Sequence, residues 1–218
     1  MVMHLATVLD IPLRDGNRLL HAAGFAPAYT DFDLDAPEMD GVRAVLATIL
    51  DAHMPNPALV VDRLGNLVDA NGGALALMGA VVAPDSPALA PVPNINRLAL
   101  HPEGIRSRTN NWQQLASSLL IRLERERDHR PADAALEDLV NEMAGYAEAA
   151  GVTTNDNRNL TGADLVVPMN LSLHGGETLS LISTISTLGS PYDVTLDELR
   201  LETFFPTDES SRRILANR

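Results

Sequence analysis

The hydrophobic residues of this chain change their spacing twice, and this pattern limits the possible folds more than any other feature. Near residue 58, and again in the last third, apolar residues run together or alternate, which is typical of β-strands. Between these regions they recur every three or four residues, which predicts helices. Five strands are predicted, at residues 58–62, 67–71, 165–174, 178–188 and 199–205. This order predicts an α+β fold: a five-stranded antiparallel sheet with helices inserted after strand two.

Turn residues support the pairing of these strands. Residues 63–66 separate the first two strands and predict an antiparallel hairpin. Residues 174–177 include Gly175 and Gly176, which supply the positive φ that a tight hairpin turn needs. With these turns, the order of elements matches a PAS-like domain.

Helical spacing is clearest in three segments. Residues 38–53 form one helix, and Pro55 and Pro57 end it. Two longer helices follow, and Gly151 fits the C-terminal end of the second. Their apolar stripes are Leu115, Leu119, Leu120 and Leu123 in the first, and Leu136, Leu139, Val140, Met143 and Ala147 in the second. Shorter helices are predicted from residue 74 to 78, from 94 to 100 and from 208 to 217.

The N-terminal region differs from the rest of the chain. Residues 1–24 contain two short helical patterns that are too small to bury a core alone. Residues 25–37 are rich in proline and aspartate and predict an extended linker, because like charges repel one another. Residues 38–218 therefore form the predicted main domain.

Composition excludes several kinds of chemistry. The 218 residues include no cysteine, so disulfides, thiolate catalysis and cysteine-ligated metal sites are excluded. All 16 basic residues are arginines, so Schiff-base lysine chemistry is also excluded. Six histidines are scattered without metal-ligand spacing, and we predict neither a metal site nor a cofactor. With 16 basic and 29 acidic residues the net charge is −13, which disfavours binding to nucleic acid.

The sequence also predicts a location. No segment approaches the ~18 consecutive apolar residues that a membrane span requires. The N-terminal ten residues lack the basic and hydrophobic regions of a secretory signal. We therefore predict a cytoplasmic protein without a membrane partner.

Several residues have both a structural and a functional interpretation. Asn71, followed by Gly72 and Gly73, is either the N-cap of a helix or part of an anion-binding turn. Ser183 and Thr184 either fill one face of the sheet or line a cavity with small side chains. Residues 94–130 hold seven arginines and four acids, and form either a solvated helix face or a contact for an acidic partner.

Five segments together resemble one known family, the MmyB-like transcription regulator ligand-binding domain. They are residues 57–63, 66–71, 94–104, 189–196 and 199–206, and their order and spacing follow the family pattern. Residues 12–17 and 22–27 are similar to the segment that joins the family's helix-turn-helix domain to its sensor. The resemblance implies that residues 1–24 are the last helices of an XRE-type DNA-binding domain whose reading helix is absent from this chain.

The family resemblance implies a PAS-like sensor with an apolar cavity for fatty-acid-like ligands. By position in the family pattern, Arg97 and His101 are candidates to hold a ligand carboxylate near the mouth of the cavity. The alternative is that both residues bond to the backbone of a loop. With Asn71, Ser183 and Thr184 they complete the predicted ligand-binding set.

The sequence therefore predicts a ligand-sensing domain of a bacterial transcription regulator rather than an enzyme. No nucleophile, phosphate-binding or dinucleotide-binding pattern is present. The alternative is a ligand-free dimerisation or interaction module with a filled core. A homodimer is expected in either case, because the apolar stripe of residues 38–53 is broader than one sheet face needs. Contact with DNA is expected only through a helix-turn-helix outside this chain.

Overall fold

A single antiparallel sheet organises the molecule. The computed structural model describes residues 1–152, 167–173, 175–189 and 192–217. Within them the strands are β1 Ala58–Val61, β2 Leu67–Ala70, β3 Met169–Ser172, β4 Thr178–Ser186 and β5 Arg200–Pro206. Their order across the sheet is β2-β1-β5-β4-β3, and every neighbouring pair is antiparallel. The predicted α+β fold with its five-stranded antiparallel sheet is confirmed.

The helices fall largely where the hydrophobic spacing predicts them. Within the described part of the chain they are α1 Val2–Val8, α2 Leu13–Ala22, α3 Asp40–Ala52, α4 Gly72–Val81, α5 Ile95–Leu100, α6 Trp112–His129, α7 Ala134–Glu148, α8 Val194–Glu198 and α9 Glu209–Ala216. Four of them, α4 to α7, are inserted between β2 and β3. The predicted start of the third strand, at residues 165–166, and its last residue, His174, lie outside the described residues.

Two elements differ from the sequence prediction for local reasons. The predicted helix at residues 38–53 begins as a 3-10 turn, Pro37–Met39, before α3 starts at Asp40. Helix α8 was not predicted, because five residues are too few to show a helical period. Asp193 caps its N-terminus, because the Asp193 carboxylate accepts a hydrogen bond from the Leu196 N–H at 3.2 Å.

The two faces of the sheet meet different helices. Alternation along β1 puts Ala58 and Val60 on one face, where they pack with Leu46 and Leu50 of α3. Leu59 lies on the opposite face, which α4, α5 and α6 cover. All four residues of β1 are buried, because helices pack against both of its faces.

Helices α6 and α7 form a second layer over the inserted region. Their main contact is between apolar residues of both helices, among them Ala116, Leu120, Leu139 and Met143. Complete burial of a leucine or methionine side chain contributes about 1.5–3 kcal/mol to stability, so this contact holds α6 firmly over the sheet.

The N-terminal segment lies against the sheet domain. The Arg14 guanidinium pairs with Glu198 of α8 at 2.7 Å and with Asp31 at 3.1 Å. The Phe32 N–H donates a hydrogen bond to Asp193 at 3.1 Å. The repulsion that predicted an extended linker at residues 25–37 is therefore reduced by Arg14, and hydrogen bonds attach this segment to the start of α8.

Candidate ligand-binding site

A cavity of about 170 Å³ lies between the sheet and the inserted helices. The strands contribute Leu59, Leu181 and Phe204, among others, and α4, α5 and α6 form the opposite wall. Most of its lining is aliphatic, as in typical small-molecule sites. Of the first hairpin, β1 supplies Leu59, whereas β2 contributes none of the described lining residues.

One part of the cavity lining is polar. Glu202 of β5, Ser183 of β4 and Arg122 of α6 all line it. The strand register pairs Leu59 and Ile185 with Glu202, and Ser183 with Phe204, so these side chains share the face toward the cavity. Ser183 is exposed whereas Glu202 is 7% exposed, which indicates that the cavity opens near Ser183.

The carboxyl group of Glu202 is held in an unfavourable setting for a charge. Burial raises the pKa of Glu202, and the positive charge of Arg122 and a hydrogen bond with Ser183 only partly offset this effect. Arg122 itself is partly buried, and among the described residues no carboxylate lies within the 4.0 Å of an ion pair with it. Among the described residues, the cavity thus brings together a guanidinium without a close anion and a carboxyl whose pKa is raised by burial.

A further polar group lines the cavity from α5. The Asn96 side chain is 4% exposed, and its Oδ1 atom has no hydrogen-bond partner among the described residues. Its amide nitrogen donates to the Leu64 carbonyl at 3.2 Å, which orients the side chain. A buried acceptor without a partner costs about 1–3 kcal/mol, which a ligand carrying a donor would recover.

The predicted head-group residues, Arg97 and His101, make their contacts outside the cavity. Arg97 donates to both carboxylate oxygens of Glu142 on α7, from Nε at 2.8 Å and from a terminal nitrogen at 2.9 Å. His101 accepts a hydrogen bond from the Glu103 N–H at 3.0 Å and lies edge-on to Tyr146, with ring centroids 4.9 Å apart. Neither residue lines the cavity, and a role for them in ligand binding stays a prediction.

Asn71 lies at a junction of three elements. Its Oδ1 accepts hydrogen bonds from the Ala58 N–H at 3.0 Å and from the Ala74 N–H at 2.9 Å. Its Nδ2 donates to the Leu50 carbonyl at 3.1 Å and to the Asn56 carbonyl at 2.9 Å. The side chain therefore caps α4 and also joins it to α3 and β1.

The two predicted residues of β4 lie on opposite faces, because neighbouring strand residues alternate. Ser183 faces the cavity, whereas the Thr184 hydroxyl lies 2.8 Å from that of Thr203 on the other face. Of the five predicted residues, the structure brings only Ser183 to the lining of the cavity.

The ligand-binding set predicted from the sequence does not include Arg122 and Glu202, although a local sequence pattern points to each of them. Arg122 follows Leu115 and Leu119 at helical spacing, so it continues their row along α6. Glu202 is an acidic residue inside a predicted strand, on the same face as Phe204 and opposite to Leu201 and Thr203. The sequence did not show that this face and this row meet across a cavity.

The described residues show neither a metal-binding cluster nor a membrane-spanning helix. No group of three or more histidine, aspartate or glutamate side chains there is arranged to hold a metal ion. Among the helices described, none combines the length and apolar character needed to cross a membrane.

A sheet and three of the inserted helices, α4, α5 and α6, around an apolar cavity with a few polar groups define a small-molecule-binding domain. Comparison with family models gives the same class. The model of the MmyB-like transcription regulator ligand binding domain matches residues 42–217, and the chain belongs to this family. The resemblance predicted from the sequence is therefore confirmed. The family is a class of regulatory ligand-binding domains and not a class of enzymes. Comparison with individually curated proteins gives no significant match.

Proposed function

We propose that this domain senses a fatty-acid-like amphiphile for a bacterial transcription regulator in the cytoplasm. The observation that carries the proposal is the aliphatic cavity with Arg122 and Glu202 in its lining. An alkyl chain fits among the aliphatic side chains, and a polar head fits beside the two ionisable groups. The family membership supports a regulatory ligand, and the strand order supports the PAS-like interpretation.

The contacts of Asn71 indicate how ligand binding in the cavity could be transmitted to the rest of the regulator. Helix α4 lines the cavity through Leu77 and Met78, and its first turn is capped by Asn71. The same side chain bonds to the last turn of α3, on the other face of the sheet. A ligand that shifts α4 would therefore also shift α3. Because such a ligand binds one conformation of the domain more tightly than the other, it increases the population of that conformation.

The test is ligand binding by the purified chain. Native mass spectrometry should show a co-purified lipid, and dodecanoic acid should raise the melting temperature. A ligand at a hundredfold excess over its Kd stabilises the folded state by about 2.7 kcal/mol. The blocking variant Met78→Trp places a large ring at the cavity wall, and Leu75→Trp is its control because Leu75 is 54% exposed on the same helix.

The expected result is a shift in the wild type and in Leu75→Trp, and a much smaller one in Met78→Trp. No shift with any medium- or long-chain acid would contradict the proposal. The ligand-free interaction module would then be the better description of the domain.

We also propose a homodimer. On α3, Val45 is 52% exposed although its neighbours Leu46 and Leu50 are buried. On α1, Leu5 and Val8 are 50% and 66% exposed. Sedimentation at tens of micromolar protein should show a dimer, and monomer alone at that concentration would contradict it. DNA contact is assigned to an XRE-type helix-turn-helix of the full regulator, as the family resemblance implies.

A further inference from the structure

The cavity lining brings together two ionisable groups that do not form a close ion pair. Arg122 of α6 and Glu202 of β5 both line it, and among the described residues neither has a charged partner within 4.0 Å. Ion pairs elsewhere in the molecule are well formed, such as Arg97 with Glu142 at 2.8 Å. Within the described residues, the lack of a close charged partner for Arg122 and Glu202 is therefore a feature of the cavity.

Within the described part of the chain, the surroundings of Glu202 supply no second cation close to its carboxyl. Its cross-strand neighbours on the same face are the apolar Leu59 and Ile185, and Ser183 adds a hydroxyl. Arg200, two residues earlier on the same strand, donates to the Asp197 carbonyl at 2.7 Å and to the Leu199 carbonyl at 3.1 Å. From the helices, α5 presents the neutral Asn96, and α6 presents Arg122.

We infer that this pair recognises a ligand carboxylate, held by the Arg122 guanidinium and by a protonated Glu202, so that binding the ionised acid is coupled to protonation of Glu202. The inference rests on the proposed function and names the chemical class of the ligand's head group. A guanidinium fork matches a carboxylate, and a protonated carboxyl adds one O–H donor.

The proton balance follows from the charges. One guanidinium neutralises one carboxylate, so an ionised ligand beside an ionised Glu202 leaves one negative charge unpaired in an apolar site. A proton taken from solvent onto the Glu202 carboxylate removes that charge and creates the O–H donor. Burial already shifts the pKa of Glu202 upward, which makes this proton easier to hold.

A neutral head group would behave differently. A fatty alcohol can bond to either form of Glu202 and does not need Arg122. Its binding should therefore depend little on the guanidinium and should not require a proton. Comparing an acid with the alcohol of the same chain length separates recognition of the head from burial of the chain.

The experiment is isothermal titration calorimetry of the full chain with dodecanoate and with dodecanol, below their aggregation limits. Titrations at several pH values above 6.5, in buffers of different ionisation enthalpy, report the protons taken up per ligand. The variants are Arg122→Gln and Glu202→Gln. The control is Arg125→Gln, an exposed arginine on α6 that does not line the cavity.

We expect dodecanoate affinity in the wild type to fall with rising pH, by up to about tenfold per pH unit. Proton uptake should accompany binding of the acid and should be absent with dodecanol. Arg122→Gln should weaken dodecanoate by about tenfold or more and leave dodecanol nearly unchanged. Glu202→Gln should keep the affinity and lose the pH dependence, and Arg125→Gln should match the wild type.

The possible negative results distinguish failure of this inference from failure of the proposed function. Binding of both amphiphiles, without proton uptake by the wild type and without an effect of Arg122→Gln, would overturn this inference and leave the proposed function standing. Absence of binding by either amphiphile would overturn the proposed function, and this inference with it. The wild-type proton count needs no variant, so the test holds even if Glu202→Gln does not fold.

Discussion

At the scale of single residues, Glu202 is unusual because its carboxyl is buried in the centre of the sheet. It is 7% exposed, and its paired neighbours Leu59 and Ile185 are apolar. Burial raises the pKa of Glu202, so the ionised form is less stable in the folded protein than in the unfolded chain. The residue therefore lowers stability at neutral pH, which is a common property of groups kept for binding.

Glu202→Gln should raise the melting temperature at neutral pH. A carboxyl with a raised folded pKa carries no penalty below its unfolded pKa of about 4.3, because both states are then protonated. The penalty grows as pH rises above that value and is complete above the folded pKa. Thermal melts from pH 4 to pH 8 should therefore show a stabilisation that grows with pH. A stabilisation of the same size by the exposed control Glu103→Gln would contradict this.

Asn71 is a buried residue whose side chain should contribute strongly to stability. It is 4% exposed and makes four hydrogen bonds, at 2.9 to 3.1 Å, with β1, α3, α4 and the loop before β1. Asn71→Ala leaves buried backbone groups unpaired, so we expect a loss of about 3 kcal/mol. Urea unfolding measures it, with the exposed Asn217→Ala as control. A change below about 0.5 kcal/mol, typical of surface positions, would show that the junction is not needed.

At the scale of elements, helix α7 holds α5 in place over the cavity. Glu142 of α7 accepts both hydrogen bonds from Arg97 of α5, and Tyr146, one turn later, donates to the same carboxylate at 2.9 Å. These hydrogen bonds, first that of Arg97, lower the pKa of Glu142. Because α5 lines the cavity through Ile95 and Leu98, this ion pair stabilises one of its walls.

Glu142→Gln should destabilise the domain by about 1 kcal/mol at neutral pH, since the pair is partly exposed. A carboxyl with a lowered folded pKa stabilises the fold above its unfolded pKa of about 4.3. That contribution is lost as pH falls through the folded pKa, so the variant and the wild type should converge in acid. Urea titrations at pH 7 and pH 3.5 measure the difference. Asp138→Asn, an exposed change on α7, is the control, and an equal loss at both pH values would contradict the assignment.

At the scale of the whole molecule, charge is unevenly distributed. The chain carries −13, yet residues 94–130 carry a net positive charge. Several arginines in that region are already engaged: Arg106 lies 4.4 Å from the Trp112 ring, and Arg127 and Arg130 pair with acidic neighbours. This region therefore offers few free cations to a phosphate backbone.

We predict that the chain shows no specific binding to duplex DNA. Binding to DNA depends on neutralising several phosphates, and a surface of this net charge repels them. Gel-shift titrations at moderate ionic strength, with an unrelated basic DNA-binding protein as positive control, should show no complex. A salt-sensitive complex that prefers one sequence would contradict the prediction.

The sequence by itself determined the fold class of this protein. Periods of two and 3.6 residues are local properties of the chain, so they marked the strands, the inserted helices and the stripes of α6 and α7. Asn71 before two glycines was likewise a local signal, and it does cap α4. The family pattern, spread over five segments, also required no knowledge of contacts.

Only the tertiary structure decided which faces meet and which charges pair. A period shows which residues share a face but not what that face contacts, so the row of Leu115, Leu119 and Arg122 was not seen to face a cavity. Arg97 meets Glu142 across 45 positions of sequence, and no local pattern links them. The face of β5 that bears Glu202 turns toward the inserted helices because α3 covers the other side of β1. The polar part of the cavity exists because strands and helices distant in sequence pack together.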